Sequence, residues 1–188
     1  MVQRRQFIVA AAAACVSRSA LAAPVDIDHT NRIVPVDQGL SNLCWLASAA
    51  MLMSATRGVP VTMAQLAGEL GGMWKPMYDT KSPITADRVV PFAAALKVRT
   101  DGLKSMTADA WGSLLSPGPI LLLGYSSNAQ MGHAIVLSGL KGDTADFQGL
   151  SARVVDPNGG KAYATSFKNL VAFYEGAALA GIPQLMYA

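Results

Sequence analysis

In the segment PVDQGLSNLCWLASAAMLM, Pro35 to Met53, a glutamine precedes a cysteine by six residues and a tryptophan follows it directly. A cysteine becomes a strong nucleophile as its thiolate, and it then needs a base and a group that orients the base. The base must come from two histidines, His29 and His133. His133 is the better candidate, because it opens the apolar run HAIVLSGL and the next such run, ARVVD, ends at Asp156. A hairpin about the polar turn KGDTAD, centred between residues 144 and 145, would set His133 opposite Asp156. Asp156 could then accept one imidazole N–H while the other ring nitrogen faces Cys44. Gln38, on a turn containing Gly39, could bring its side-chain amide into the space of the Cys44 backbone N–H and form an oxyanion hole. Alone, each residue has an ordinary explanation: a core cysteine, a histidine at a strand end, an acid before Pro157. Together, and in this order, they point to thiol chemistry.

These residues need elements to hold them. The small and apolar residues after Cys44 predict a helix from about Asn42 to Ala55, central to the fold and packed on the sheet, with Trp45, Leu46, Ala49, Ala50 and Met53 on its packed face and the cysteine at its exposed tip. That puts the cysteine near the first turn, where free N–H groups and the helix dipole favour an anion. Ile33 to Val36 reads as an extended entry. Thr62 caps a helix MAQLAGEL, GGMWKPMYDTKSP reads as a loop, Thr85 opens ADRVVPFAAAL and Thr107 caps ADAWGSLL. The period then changes. ILLLGY, HAIVLSGL, ARVVD and KAYAT read as strands, Ser166 caps a short helix FKNLVAFY, and QLMYA closes as a strand. Helices first and a mostly antiparallel sheet after them predict an α+β fold.

The chain opens with MVQRRQFIVAAAAACVSRSALAAP, which has a basic start, an apolar middle and an A-x-A end at Ala20-Leu21-Ala22. Residues 1–22 read as a signal peptide and 23–188 as one globular domain. Arg4-Arg5-Gln6-Phe7-Ile8, with Arg18 before the cleavage site, resembles a twin-arginine export motif, an ordinary Sec signal being the alternative. A lipoprotein reading through Cys15 ranks below both, because alanine fills the upstream position where a larger aliphatic residue is needed. The apolar run is shorter than the roughly 20 residues a membrane-crossing helix needs, so no permanent membrane anchor is expected. The predicted location is periplasmic or secreted. Cleavage removes Arg4, Arg5 and Arg18 from 15 basic residues and leaves 12, equal to the 12 acidic ones. A neutral mature chain implies no nucleic-acid partner. Cleavage also removes Cys15, one of two cysteines, and leaves Cys44 unpaired in a compartment where thiols usually pair.

Other constellations are weak. One cysteine and two histidines without short ligand spacing do not make a zinc site, and Asp26-Ile27-Asp28-His29 reads as a solvated segment. Met51, Met53, Met73 and Met77 read as core filler. With no nucleotide-binding glycine pattern either, no cofactor and no metal are expected.

The sequence resembles the papain-like cysteine peptidases over nearly all of the mature chain. Gln38, five residues, then Cys44-Trp45 is similar to papain's own spacing. The layout through VTMAQLAGEL, SPGPILLL, GHAIVLSGL and VVDPNGG is closer to the compact bacteriocin-processing (double-glycine leader) peptidases and to short papain-like proteases of bacterial effectors. The resemblance implies a papain-like fold, with Gln38 as oxyanion donor, Cys44 as nucleophile, His133 as general base and acid, and Asp156 as orienting group. It implies a peptide or protein substrate, though not the leader peptides of the transporter-linked members. The stretch between cysteine and histidine is shorter than papain's, which leaves the cleft walls unassigned. The expected function is an exported cysteine peptidase. The alternatives are a peptidoglycan amidase or endopeptidase, a transglutaminase-like thiol acyltransferase, and an inactive papain-like binding module.

Overall fold

The computed structural model describes residues 24–102, 104–126, 131–177 and 184–188. The signal peptide expected over residues 1–22 lies outside the described residues. A short strand β1 (Pro24–Asp28) leads through a 3-10 turn (Thr30–Arg32) to four helices, α1 (Cys44–Arg57), α2 (Met63–Leu70), α3 (Trp74–Asp79) and α4 (Ala86–Leu96). Then come β2 (Arg99–Asp101), α5 (Ala108–Leu115), β3 (Ile120–Ser126), β4 (Met131–Asp143), β5 (Ser151–Asp156), β6 (Lys161–Ser166), α6 (Phe167–Gly176) and β7 (Leu185–Tyr187). Thr62, Thr107 and Ser166 accept from the N–H groups of Gln65, Ala110 and Asn169, so these caps set the starts of α2, α5 and α6. The Gln65 side chain returns the bond to Thr62 and completes a capping box.

The strands form one antiparallel sheet in the order β2-β7-β3-β4-β5-β6, and β1 joins β4 beyond the end of β3. Alternation along β3 divides the core. Leu121 and Leu123 face α1 to α4, where Trp45, Trp74 and Phe92 stack against one another with ring centroids 4.8 to 6.0 Å apart. Ile120 and Leu122 face the other way, toward Trp111 of α5 and Phe167 and Tyr174 of α6. This is the α+β arrangement expected.

Four expectations need correction. The helix expected from Asn42 to Ala55 begins at Cys44 and ends at Arg57, with Gly58 closing it at φ 69°. Its residues from Trp45 to Ala55 are all buried, so α1 is the central helix expected, enclosed on every side and not through one face alone. The segment GGMWKPMYDTKSP contains α3, because Trp74 and Met77 bury themselves in the core and Pro76 falls in the first turn, where no N–H is missed. Asp26 to Asp28, expected as a solvated segment, is the backbone of β1. Its carboxylates are solvated as expected, but they pair with Arg153, whose Nη1 lies 2.8 Å from Asp26 Oδ1 and whose Nε lies 3.3 Å from Asp28 Oδ2.

The fourth correction is to the register at the site. β4 and β5 pair as Val136 with Val155 and Leu137 with Val154, so Asp156 falls beside Ile135 and not beside His133. The cause is β1, which pairs with β4 as far as Asp143 and so lengthens that strand, and a bulge at Ser138 between the pairs Leu137–Val154 and Gly139–Arg153.

Candidate active site

Cys44 is the first residue of α1 and is partly exposed. Leu43 at the N-cap offers no side-chain acceptor, so the Cys44 and Trp45 N–H groups have no partner among the described residues. Two bonds fix this helix end. Trp45 Nε1 donates to the Ser82 carbonyl at 3.2 Å, and Ser48, one turn below the cysteine, donates from Oγ to the Ala134 carbonyl at 3.0 Å. Ala134 adjoins His133, so the Ser48 bond ties the cysteine helix to the histidine strand.

His133 Nε2 lies 2.8 Å from Asp156 Oδ1, with both side chains less than one-fifth exposed. On β4 and β5 they are diagonal neighbours on one face, within reach of an imidazole and a carboxylate. Burial works to raise the Asp156 carboxyl, but bonds from His133 and the Asn158 N–H and the charge of His133 hold it below the usual range. An ionised carboxylate only accepts, so Nε2 carries the proton and Nδ1 is left for sulfur. Burial also works to lower the His133 pKa. Hydrogen bonds to Asp156 and Cys44 and their charges outweigh it and lift the ring to about 9. The ring is therefore held as imidazolium at neutral pH, between a carboxylate and a sulfur. Tyr163 adds a long contact from its hydroxyl to Asp156 Oδ2 at 3.5 Å. Burial and that carboxylate raise its own pKa.

Gln38 donates from Nε2 to the Ser41 carbonyl at 3.1 Å, which uses one amide hydrogen and leaves the second. Among the described residues its Oε1 is buried without a donor, an arrangement that costs stability. The Gln38 backbone N–H bonds the Pro157 carbonyl at 2.8 Å, so its loop rests on the turn that follows Asp156. Gln38, Cys44, His133 and Asp156 line one cleft of about 600 Å³. His29 is elsewhere, its Nε2 2.9 Å from the Leu115 carbonyl. The four residues expected from the sequence thus meet, and the second histidine does not join them.

Residues 28–175 match the family described as papain-like cysteine protease AvrRpt2. The chain belongs to this family of papain-like cysteine proteases. No curated protein matches it. The matched span contains all four cleft residues. Among the described residues of the protease, no group of three or more His, Cys, Asp or Glu side chains could hold a metal ion, and no helix is long and apolar enough to cross a membrane.

The protease cleft also depends on residues that sequence spacing did not single out. Ser48 is hidden among the small residues of α1 and is defined only by its distant acceptor. Gly124 pairs with His133 across the sheet, and a Cβ there would overlap the Phe173 ring of α6. Phe173 thus takes the space beside the histidine strand that a side chain at 124 would fill, and Gly124 was legible only as a glycine inside a strand. A small apolar recess of about 100 Å³ beside Cys44 is walled by Trp45, Pro83, Ile84, Val89 and Leu123, which assigns one of the walls that the short spacing left open.

Proposed function

We propose that the protease is exported and hydrolyses peptide bonds through Cys44, His133 and Asp156, with Gln38 as oxyanion donor. The observation that carries this reading is the His133 ring, bonded to Asp156 at 2.8 Å and lining one cleft with Cys44 and Gln38. In the reaction, Cys44 thiolate attacks the substrate carbonyl carbon, and the carbonyl oxygen becomes an oxyanion. The second Gln38 Nε2 hydrogen and the free Cys44 N–H stabilise that oxygen. The His133 imidazolium passes its proton to the departing amine, so the C–N bond breaks and leaves a thioester on Cys44. Neutral His133 then takes a proton from water, whose oxygen attacks the thioester, and the acid product leaves with the thiolate restored. Asp156 holds the ring with Nε2–H toward itself throughout and stabilises its charged form.

The test is mass spectrometry of a peptide library and of purified peptidoglycan after incubation with the protein and with Cys44→Ala. Cleaved peptides with free carboxyl ends, absent with Cys44→Ala, are expected. Products joined to an added amine would move the assignment to acyl transfer. Cleavage confined to peptidoglycan would move it to a cell-wall amidase or endopeptidase. No product of any kind, with Cys44 alkylated by iodoacetamide as an ordinary thiol, would leave a binding module.

A further inference from the structure

We infer that Asp37 is a positioning residue that sets the distance between the oxyanion donor and the histidine–aspartate pair. Two loops meet at the rim of the cleft. One carries Gln38 and the other, Pro157 to Gly160, follows Asp156. Asp37 Oδ1 accepts from the Gly39 N–H at 2.8 Å on its own loop and from the Gly159 N–H at 3.1 Å on the other. Among the described residues this carboxylate is the only side chain that links the two loops by a hydrogen bond. Both donors are glycines with positive φ, 60° at Gly39 and 82° at Gly159, a conformation other residues take only with strain. The loops also touch closely, since a Cβ on Gly160 would lie 3.4 Å from the Asp37 backbone nitrogen.

Each catalytic group is tied into this junction by one further bond. The Gln38 N–H reaches the Pro157 carbonyl, and the Asn158 N–H reaches Asp156 Oδ1, each at 2.8 Å. A single carboxylate oxygen therefore holds the residue after Gln38 and the third residue after Asp156 to one point. Without it, one backbone bond spans the gap and the Gln38 amide is free to drift from the oxyanion position. Asp37 itself is exposed, so its hydrogen bonds compete with water and contribute little to global stability. Its effect is on placement, and a displacement of about 1 Å at a catalytic group costs up to about a hundredfold in rate.

This inference rests on Gln38 acting as oxyanion donor, and the experiment separates the two. Turnover of a cleaved peptide and the rate of Cys44 alkylation by iodoacetamide are measured for Asp37→Ala and Asp37→Asn, each with Gln38 intact and with Gln38→Ala. Asp37→Ala should lower turnover by about ten- to a hundredfold, with alkylation within about twofold of wild type because that reaction needs no oxyanion hole. Asp37→Asn, whose amide oxygen still accepts both N–H groups, should recover most of the loss. In the Gln38→Ala background Asp37→Ala should cost less than about twofold more, because the group it positions is already gone. An equal loss in both backgrounds, a parallel fall in alkylation, or full turnover in Asp37→Ala would overturn the inference while leaving Gln38 in its role. Full turnover in Gln38→Ala would overturn both.

Discussion

The charge state of His133 is the most exposed point of the proposed mechanism. The protein has two histidines, so isotope-labelled imidazole gives two signals, and His29→Gln assigns them. His133 should titrate at about 9 against an ordinary value of 6.5. That difference corresponds to about 3 kcal/mol of preference for the charged ring, at about 1.4 kcal/mol for each tenfold change in proton affinity. Because the side chain is only 19% exposed, solvent removes little of this. The sign follows from linkage. Below about pH 6.5 the ring is protonated in folded and unfolded chains alike and the full stabilisation is present. It is lost as pH rises from about 6.5 to about 9, where the unfolded chain has released its proton and the folded one has not. Chemical denaturation at pH 6 and pH 9.5 should therefore show wild type losing up to about 3 kcal/mol. Asp156→Ala removes a bond and a charge that raise the ring pKa, and leaves the burial that lowers it together with the Cys44 contribution that raises it. Its titration should fall toward the ordinary imidazole range, and the pH-dependent stability difference should shrink with it. A wild-type midpoint near 6.5, or a midpoint unmoved by Asp156→Ala, would refute the assignment of Asp156 as the partner that keeps this ring charged.

Three other outcomes are expected. Gln38→Ala should lower turnover by roughly a hundred- to a thousandfold with Cys44 alkylation almost unchanged, whereas Asp156→Ala should weaken turnover and low-pH alkylation together; paired pH profiles of the two reactions separate these roles, and similar alkylation losses in both variants would count against them. Ser48→Ala strips the Ala134 carbonyl of a buried donor and should cost about 1 to 3 kcal/mol in denaturant unfolding, with turnover falling as the cysteine helix loses its tie to the histidine strand. If the proposed twin-arginine route is used, replacing Arg4 and Arg5 by lysine should block export, and N-terminal sequencing of the periplasmic or secreted form should place its start at or near Ala23; unimpaired export would remove the twin-arginine motif and leave the signal peptide.

Local signals predicted local structure well. Thr62, Thr107 and Ser166 each precede a run with helical spacing, and each caps the helix expected after it. Apolar runs and polar turns marked β3, β5 and β6 to within a residue, whereas β4 begins two residues before and ends three residues after the run expected for it. The missed elements carry no local signal. β1 is an alternating acid segment that becomes a strand because Arg153 and the far half of β4 receive it. β2 has three residues and exists only through its pairing with β7. Ser48 and Asp37 were illegible for the same reason, because their partners lie 86 and 122 residues away in the chain.

The register explains why the site is legible in the sequence even though the strands pair two residues away from the expected register. A hairpin centred between residues 144 and 145 would pair His133 with Asp156 directly, whereas the strands pair two residues further along, with Val136 opposite Val155. A slip of one residue would have turned the aspartate to the opposite face of the sheet and broken the site. A slip of two preserves the face and moves the partner to the diagonal position, about 7 to 8 Å away, which an imidazole and a carboxylate can span between them. The bulge at Ser138 supplies the odd residue that reconciles the longer β4 with this parity, since the pairs on its two sides differ in register by one. Ser138 is held there by its hydroxyl, 3.0 Å from the Thr30 hydroxyl, and by its carbonyl, which accepts the His29 N–H at 2.7 Å. The other histidine therefore bears on the proposed catalytic geometry through its backbone, whose N–H holds the Ser138 irregularity that leaves His133 and Asp156 on one face.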